Sequence, residues 1–398
     1  PSISHTSRVA WPETLLVVLL LSIGLCVTSL HPQKWYTVGL LAGLAPLVHP
    51  RAVVLAASVL FLGWSIGRLR ETAIGVGCGL LATVVTLQMS DTWQAARLTA
   101  AQTVGDEPGP VATGAGQLLA FSTSTAGLGL LGIFVGITMI VRQKSLTPHD
   151  QVLSFFALSA GAMLILGGWV LAGSNRSDTL LYGRYMDPWA VPMAVSMLCM
   201  VAKRPISRKV IALSTVVVVV AFAFVRLEVD HVTEPGRGVM TASLRVLWVA
   251  ADENLSMVLL FAALTSLISI VGMWRNPRVT LCALLLLAAA STVFTHSHLR
   301  DVGQVSAGQA TLAGLVSDDA QCLAHDSSSV KPYAIWLYRV QLPKIQHRNV
   351  DLSAGQEPCG VFVIADADAL AGCTGTQFVG QEPRATWGLW RYPAAGCG

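Results

Sequence analysis

Long apolar stretches separated by short polar segments make up most of this chain. A membrane-spanning helix needs about 20 apolar residues. Stretches close to that length predict helices over residues 11–30, 72–89, 115–141, 151–172, 188–202, 209–226, 255–274 and 279–295. Two shorter apolar segments, 35–48 and 52–67, flank the tripeptide His49-Pro50-Arg51. The pattern therefore predicts an α-helical polytopic membrane protein with about ten membrane segments.

The pattern changes near residue 296, where the apolar runs shorten and charged residues return. The later runs predict a strand, a helix and then further strands, at residues 321–325, 331–340, 344–352, 360–365, 376–380 and 386–392. This order is typical of a small α/β domain. We therefore expect two domains, a transmembrane domain over 1–295 and an α/β domain over 296–398.

Composition agrees with a chain that lies mostly in lipid. Hydrophobic residues make up 53% of it and charged residues only 12%, whereas soluble domains carry about 25% charged residues. The mean hydropathy is +0.61. The net charge of +4 is small and its basic residues cluster in short loops. This distribution argues against a nucleic-acid-binding face.

The charge of the connecting loops predicts the orientation in the membrane. Short basic connections, at 67–70, 142–144, 203–209 and 275–278, alternate with longer loops of mixed charge, at 90–114, 173–187 and 227–254. Basic loops remain in the cytoplasm. We therefore expect a multi-pass protein of the cytoplasmic (inner) membrane, with His49-Pro50-Arg51, the 173–187 loop and the α/β domain on the extracytoplasmic side.

The eight cysteines fall into two groups of four. Those in apolar runs, Cys26, Cys78, Cys199 and Cys282, are expected to act as small hydrophobic residues. The remaining four lie in the polar C-terminal region, and their spacing does not resemble a zinc site. An exported domain with four cysteines allows three disulfide connectivities. Among these we predict Cys322–Cys359 and Cys373–Cys397.

The stretch LLYGRYMDPWAVP, residues 180–192, contains the densest group of candidate functional residues. Tyr182, Arg184, Tyr185 and Asp187 fall within six positions, and Arg176 and Asp178 precede them. Arginine presents a planar fork of donors that suits phosphate oxygens. The alternative is an aromatic anchor at the membrane interface with an ordinary Arg–Asp pair.

Four further residues, His49, Arg51, Glu13 and Gln117, are candidates for the same cavity. The 14 residues of 35–48 rise only about 21 Å as a helix, less than the roughly 30 Å core of a bilayer. His49 and Arg51 would then lie below the surface and face a cavity, unless Arg51 extends to the interface. Glu13 is either a cavity acid or an acid that stabilises a helix N-terminus. Gln117 is the fourth of these residues.

Several of these segments together resemble the GT-C superfamily, which comprises multi-spanning glycosyltransferases that use polyprenyl-phosphate sugars. Pro12-Glu13-Thr14 before a leucine-rich helix is similar to the Ser-Glu-Ser type start of that family. The run GLLAGLAPLVHPRA resembles its segment with a basic cavity residue. Gly116-Gln117-Leu118, YGRYMDP and a C-terminal extracytoplasmic α/β domain look like actinobacterial members.

The resemblance implies transfer of a sugar from a polyprenyl-phosphate donor to a cell-envelope glycan, lipid or protein at the outer face of the membrane. It implies that Arg184 and Arg51 bind the donor phosphate, with Tyr182, Tyr185 and His49 beside them and Glu13 as a cavity acid. The family's catalytic aspartate is expected upstream of Pro1, on this chain or on a separate N-terminal half. A divalent metal, Mg²⁺ or Mn²⁺, is the one cofactor that the resemblance allows.

A second class of function remains open from the sequence. The chain is then a carrier of lipid-linked sugars, or a non-catalytic scaffold whose C-terminal domain binds cell-wall glycan. Transporters are often built from pseudo-symmetric halves, and no internal repeat is visible in the sequence.

Overall fold

The structure is a computed structural model that divides into two compact units, Pro1–His296 and Ser297–Gly398. We call them the helical unit and the C-terminal unit. It describes residues 12–29, 31–88, 108–142, 146–173, 176–232, 244–252, 254–286, 288–289, 292–293, 310–317, 319–330, 332–383 and 385–393. Glu13 lies in this part by its backbone only. The first eleven and the last five residues of the chain, and most of the 90–114 loop, lie outside it.

Twelve helices are described in the helical unit. They are α1 (Pro12–Val27), α2 (Pro32–Val48), α3 (Val53–Ser65), α4 (Leu69–Gln88), α5 (Pro110–Ser124), α6 (Leu128–Arg142), α7 (Pro148–Leu171), α8 (Asp187–Val201), α9 (Arg208–Glu228), α10 (Arg245–Ala250), α11 (Leu255–Arg275) and α12 (Pro277–Leu286). Apart from α10 they follow the predicted apolar segments closely, because each is a run of apolar residues bounded by proline, glycine or charge.

Four of the described helices are long and apolar enough to cross a membrane, namely α4, α7, α9 and α11. The pair formed by α5 and α6 adds a fifth span if the two are counted together. Four shorter apolar stretches accompany them, at Thr14–Val27, Pro50–Ser65, Asp187–Val201 and Pro277–Leu286. The apolar helices are thus compatible with a membrane protein.

One predicted helix is broken in the structure. The sequence predicts a single helix over 115–141, but α5 and α6 meet at an angle of 108°. Ala126 and Gly127 have φ values of +52° and +77°, a left-handed conformation that ends an α-helix. The Gly127 N–H donates to the Ser122 carbonyl oxygen at 2.6 Å, as in a Schellman turn. The prediction of one continuous helix was therefore wrong.

Helices α2 and α4 pack through glycines. A Cβ atom added to Gly39 would lie 2.3 Å from the Thr72 carbonyl oxygen, and one added to Gly75 would lie 2.2 Å from the Tyr36 carbonyl oxygen. Small residues allow two membrane helices to bring their backbones this close. The Thr83 hydroxyl donates across the same interface to the Gly43 carbonyl oxygen at 2.9 Å. This packing fixes α2, at whose end the His-Pro-Arg junction begins.

The C-terminal unit contains a five-stranded sheet and one α-helix among its described residues. The elements are β1 (Cys322–Asp326), α13 (Pro332–Gln341), β2 (Gln346–Val350), β3 (Phe362–Asp366), β4 (Gln377–Gln381) and β5 (Trp387–Arg391). All six lie within a few residues of the predicted positions. The strand order is β2-β1-β3-β5-β4. Strand β1 is parallel to β2 and β3, whereas β5 is antiparallel to its two neighbours.

Both faces of this sheet are covered. Leu323, Ile364 and Tyr338 belong to a core that includes residues of α13 and of the 3₁₀ turn Thr311–Leu315. Ala324 and Val363 point to the opposite face. The predicted Cys322–Cys359 disulfide is present. Cys373 is also disulfide-bonded, and Cys397, its predicted partner, lies outside the described residues.

Candidate functional site

The His49-Pro50-Arg51 junction forms a tight turn between α2 and α3. Pro50 cannot continue α2 because it lacks an N–H and restricts the residue before it. A 3₁₀ turn over Pro50–Ala52 follows, and the Arg51 N–H donates to His49 Nδ1 at 3.3 Å. Both side chains are half-buried. The turn therefore holds the imidazole and the guanidinium at the end of the α2–α3 hairpin.

The 176–189 segment is packed into the helical unit. It contains two 3₁₀ turns, Ser177–Thr179 and Gly183–Tyr185, before α8 begins at Asp187. Leu180 and Leu181 are fully buried, and Tyr182 is only 5% exposed. These neighbours fix the backbone on which Arg184 and Tyr185, both half-buried, are carried.

The two segments meet, although more than a hundred residues separate them. The Arg51 guanidinium carbon lies 3.6 Å from the centre of the Tyr185 ring, a cation–π contact. The His49 ring meets Tyr185 edge-on at 6.3 Å between centroids. Tyr182 also packs against the Tyr185 ring, with ring centroids 4.5 Å apart. We call His49, Arg51, Tyr182, Arg184 and Tyr185 the cation–tyrosine cluster.

Arg184 joins the cluster through Tyr182. Burial raises the pKa of the Tyr182 hydroxyl above its ordinary value, and the positive charges of Arg184 and Arg51 oppose that shift. Arg184 also makes a side-chain hydrogen bond to Tyr182. Both guanidinium groups therefore act on the same phenol, and the cluster concentrates positive charge beside aromatic rings.

A shallow pocket opens at the cluster. Its cavity volume is about 10 Å³, room for about one water molecule. The lining residues are Leu16, His49, Arg51, Ala52, Met163, Tyr185 and Pro188. One side is thus cationic and aromatic and the other is apolar, an arrangement that suits an anionic group attached to an apolar chain.

The remaining charged candidates of this loop have structural contacts. Arg176 binds Asp178 through both oxygens, with Nε–Oδ1 and Nη2–Oδ2 distances of 2.9 and 2.5 Å. Asp178 is 1% exposed. Asp187 is buried in the first turn of α8, where a negative charge is favoured by the helix dipole. For Arg176 and Asp178 the alternative of an ordinary Arg–Asp pair accounts for the geometry.

Gln117 lies in α5, against α7 and away from the lining of the pocket. Its side chain is fully buried, and neither its amide oxygen nor its amide nitrogen has a hydrogen-bond partner among the described residues. A Cβ atom added to Gly167 would lie 2.3 Å from the Oε1 atom of Gln117. Glu13 is the second residue of α1, and its side chain is outside the described part. Leu16, about one turn further, lines the pocket.

The pocket does not offer the ligands that a divalent metal needs. Magnesium and manganese prefer several carboxylate or carbonyl oxygens, whereas this pocket contributes two basic side chains and a phenol. Within the described ranges, no three His, Cys, Asp or Glu side chains gather into a metal-binding group. These residues therefore do not fit the Mg²⁺ or Mn²⁺ that the resemblance allows.

The sequence did not single out some residues that shape the site. Met163 and Pro188 line the pocket, and Gly116 supports the loop, since a Cβ atom there would lie 1.5 Å from the Leu180 carbonyl oxygen. Met163 and Pro188 lie within apolar runs and gave no signal. Gly116 belongs to the Gly116-Gln117-Leu118 motif, but the close backbone approach that requires a glycine there is visible only in the structure.

Comparisons with models of protein families, with curated proteins and with solved structures find no match for this chain. The geometry of the cluster and the resemblance in sequence pattern are therefore the observations that bear on function.

Proposed function

We propose that this chain is a membrane glycosyltransferase of the GT-C type, which moves a sugar from a polyprenyl-phosphate donor to a cell-envelope acceptor. The observation that supports the proposal most strongly is the contact between Arg51 and Tyr185. Arg184 joins the same cluster through its hydrogen bond to Tyr182. In this proposal the cluster binds the phosphate of the donor, and the apolar wall with Leu16 and Met163 contacts its lipid.

The chemistry of sugar transfer explains why two cations are needed. When the bond between the anomeric carbon and the phosphate oxygen breaks, the phosphate gains negative charge. Preorganised donors in a site of low dielectric stabilise that charge more in the transition state than in the ground state. Stacking on Tyr185 holds the Arg51 guanidinium plane in one orientation, so that less side-chain entropy is lost on binding. The cluster accounts for the departure of the donor phosphate, and we assign no base.

We further propose about ten membrane segments, with the cation–tyrosine cluster and the C-terminal unit outside the cytoplasm. Two contacts between distant loops agree with this orientation. Arg51 and Tyr185, from two connections predicted to be outside, lie together. Arg208 and Trp274, each beside a connection predicted to be cytoplasmic, lie 6.0 Å apart. Trp64, 63% exposed, precedes the basic residues Arg68 and Arg70, as tryptophans at a membrane interface do.

The test is sugar transfer from a polyprenyl-phosphate donor by the full-length protein, together with any separate N-terminal half, purified in lipid nanodiscs. Arg184→Ala and Arg51→Ala should each lower turnover about 100-fold or more, as removal of one charge-stabilising donor does in other enzymes. Arg184→Lys and Arg51→Lys keep the charge but lose the planar fork, and should recover only part of the activity. Arg204→Ala, at an exposed position of a basic loop, is the matched control and should leave turnover unchanged.

Binding of undecaprenyl phosphate, measured by native mass spectrometry, separates phosphate recognition from catalysis. The Arg51→Ala/Arg184→Ala double variant should bind it at least ten times more weakly than wild type, while binding of undecaprenol, which has no phosphate, should not change. Equal loss for both lipids would show that the arginines only maintain the fold. Full transfer activity in the Arg184→Ala variant would refute its role.

One observation favours a second function, movement of the lipid-linked sugar across the membrane. Discontinuous helices form substrate sites in many transporters, and α5 and α6 are two short helices joined at 108°. Each has 15 residues, about 22 Å and thus less than a bilayer core. Proteoliposomes distinguish the two functions: a carrier should expose labelled polyprenyl-phosphate sugar on the opposite leaflet without transferring its sugar.

A further inference from the structure

Two stacked histidines lie at the edge of the sheet in the C-terminal unit. His325 is on β1 and His347 is on the edge strand β2. Their rings are nearly parallel, 14° apart, with centroids separated by 5.2 Å. The Nε2 atom of His325 lies 2.8 Å from the Nδ1 atom of His347. His325 is fully buried, and His347 is half-buried.

The hydrogen bonds determine the tautomer of both rings in the neutral state. His347 Nε2 lies 3.0 Å from the Leu342 carbonyl oxygen, which only accepts, so this nitrogen must bear a hydrogen. His347 Nδ1 is then an acceptor, and His325 Nε2 donates to it. The remaining nitrogen, His325 Nδ1, is unprotonated, buried, and without a hydrogen-bond partner in the described part of the chain.

An added proton has one destination in this arrangement. The singly charged pair has three hydrogens on four ring nitrogens, and one of them occupies the bond between the rings. The two outer nitrogens must then both be protonated, whichever ring carries the charge. His347 Nε2 already donates to Leu342. The new hydrogen therefore lies on His325 Nδ1, where no acceptor receives it, at the cost of an unsatisfied buried donor and a buried charge.

The groups around the pair do not offset that cost. Tyr338 of α13 packs against His325 with ring centroids 5.7 Å apart, and its hydroxyl donates to Glu382. The positive charge of Arg339, also on α13, opposes protonation of both histidines. Burial, with the charges of His347 and Arg339, lowers the pKa of His325 to about 3 from 6.5. Burial also lowers the pKa of His347.

We propose that the His325–His347 pair is a proton-sensitive latch, which holds β2 and the end of α13 against β1 when neutral and releases them when protonated. Strand β2 is the element expected to leave, because it lies at the edge of the sheet and pairs only with β1. The latch makes the C-terminal unit responsive to acid, independently of any sugar transfer by the helical unit.

The direction of the pH effect follows from the two pKa values. In the released state both histidines have ordinary pKa values near 6.5, whereas in the closed state burial and neighbouring charge lower the pKa of each, that of His325 to about 3. The latch is therefore fully stabilising above pH 6.5 and weakens as the pH falls toward 3, by about tenfold in the opening equilibrium per pH unit. Between pH 7.0 and pH 4.5, release should increase by at least about tenfold.

The experiment is hydrogen–deuterium exchange of the whole chain in lipid nanodiscs at pH 7.0 and pH 4.5. Peptides that contain Gln346–Val350 report release of β2, and peptides that contain Trp387–Arg391 report the interior strand β5 of the same sheet. The ratio of their exchange rates cancels the intrinsic effect of pH on amide exchange. In the wild type this ratio should rise by at least about tenfold at the lower pH.

Two substitutions separate the roles of the rings. In His325→Gln the amide nitrogen replaces Nε2 as the donor to His347 and does not titrate, so the ratio should rise less than about threefold. In His347→Gln the amide nitrogen replaces the donor to Leu342, and His325 keeps its buried, titratable Nδ1. That variant should retain most of the rise.

An unchanged ratio in the wild type overturns the proposal, and so does an undiminished rise in His325→Gln. If His325→Gln does not fold, His325→Phe provides the same test, because it keeps an aromatic ring against Tyr338 and removes both nitrogens. A rise in His325→Phe equal to that of the wild type likewise overturns it.

Discussion

The two units of this protein are stabilised in different ways. In the helical unit, α2 and α4 approach through glycines, and the side-chain hydrogen bonds between its described helices mostly join hydroxyl groups to carbonyl oxygens. The C-terminal unit contains a buried carboxylate bonded to an aromatic hydroxyl, two histidines bonded to each other, and a disulfide. A chain surrounded by lipid gains little from hydrophobic burial between helices and relies on shape. A small domain in water has too little core for stability and needs polar and covalent links.

The largest effect is expected from Glu382, the centre of the polar network. This carboxylate is 1% exposed and accepts hydrogen bonds from the Tyr338 hydroxyl, the Leu312 N–H, and the N–H and hydroxyl of Thr311. Glu382→Ala leaves several of these donors unsatisfied and should destabilise the C-terminal unit by about 5 kcal/mol. Hydrogen–deuterium exchange of the Trp387–Arg391 amides in urea measures this loss of unfolding free energy. Glu357→Gln, at an exposed position, should cost less than about 0.5 kcal/mol.

The second-largest effect is expected from removal of the Cys322–Cys359 disulfide. Cys322 and Cys359 are separated by 37 positions, and the loop-entropy relation gives about 4 kcal/mol for a loop of this length. The Cys322→Ser/Cys359→Ser variant should lose that amount in the same exchange experiment. A matched Cys282→Ser substitution, at an exposed cysteine of the helical unit, should have no effect. Equal losses in the two variants would contradict the assignment.

In the helical unit, the largest loss of stability is expected from disrupting the glycine packing between α2 and α4. Gly75→Ala places a methyl group 2.2 Å from the Tyr36 carbonyl oxygen, so the two helices must separate, at a cost of about 2–3 kcal/mol. Gly77→Ala lies on the same helix, where an added Cβ meets nothing within 4 Å. It should be neutral or stabilising, because alanine favours a helix. Thermal unfolding in detergent, followed by size-exclusion chromatography, compares them, and equal melting temperatures would reject the close-packing argument.

A polar contact in the helical unit should have the smallest effect. The Trp189 indole N–H donates to the Ser159 hydroxyl at 2.8 Å between α8 and α7. Ser159→Ala should cost about 1–2 kcal/mol, since one buried donor loses its acceptor. Ser65→Ala removes a hydroxyl that bonds only within its own helix, and should cost less. A loss for Ser159→Ala as large as that for Glu382→Ala would remove the contrast between the two units.

Local pattern was enough to predict most elements of both units. Apolar runs gave α7, α9 and α11, and short alternating or apolar runs gave the five strands. The break between α5 and α6 escaped prediction because its cause is the left-handed conformation of Ala126 and Gly127. Alanine is otherwise the strongest helix former, so its sequence context favoured a continuous helix.

The candidate site was predictable in its parts and not in its assembly. The sequence alone determined that His49 and Arg51 follow a helix too short to span a bilayer core, and that Tyr182, Arg184 and Tyr185 lie in one turn. Only the tertiary structure placed Arg51 on the Tyr185 ring and brought His325 to His347. The physical reason is the range of the information: helix and strand periodicity is encoded by neighbours in sequence, whereas these contacts depend on how whole elements pack.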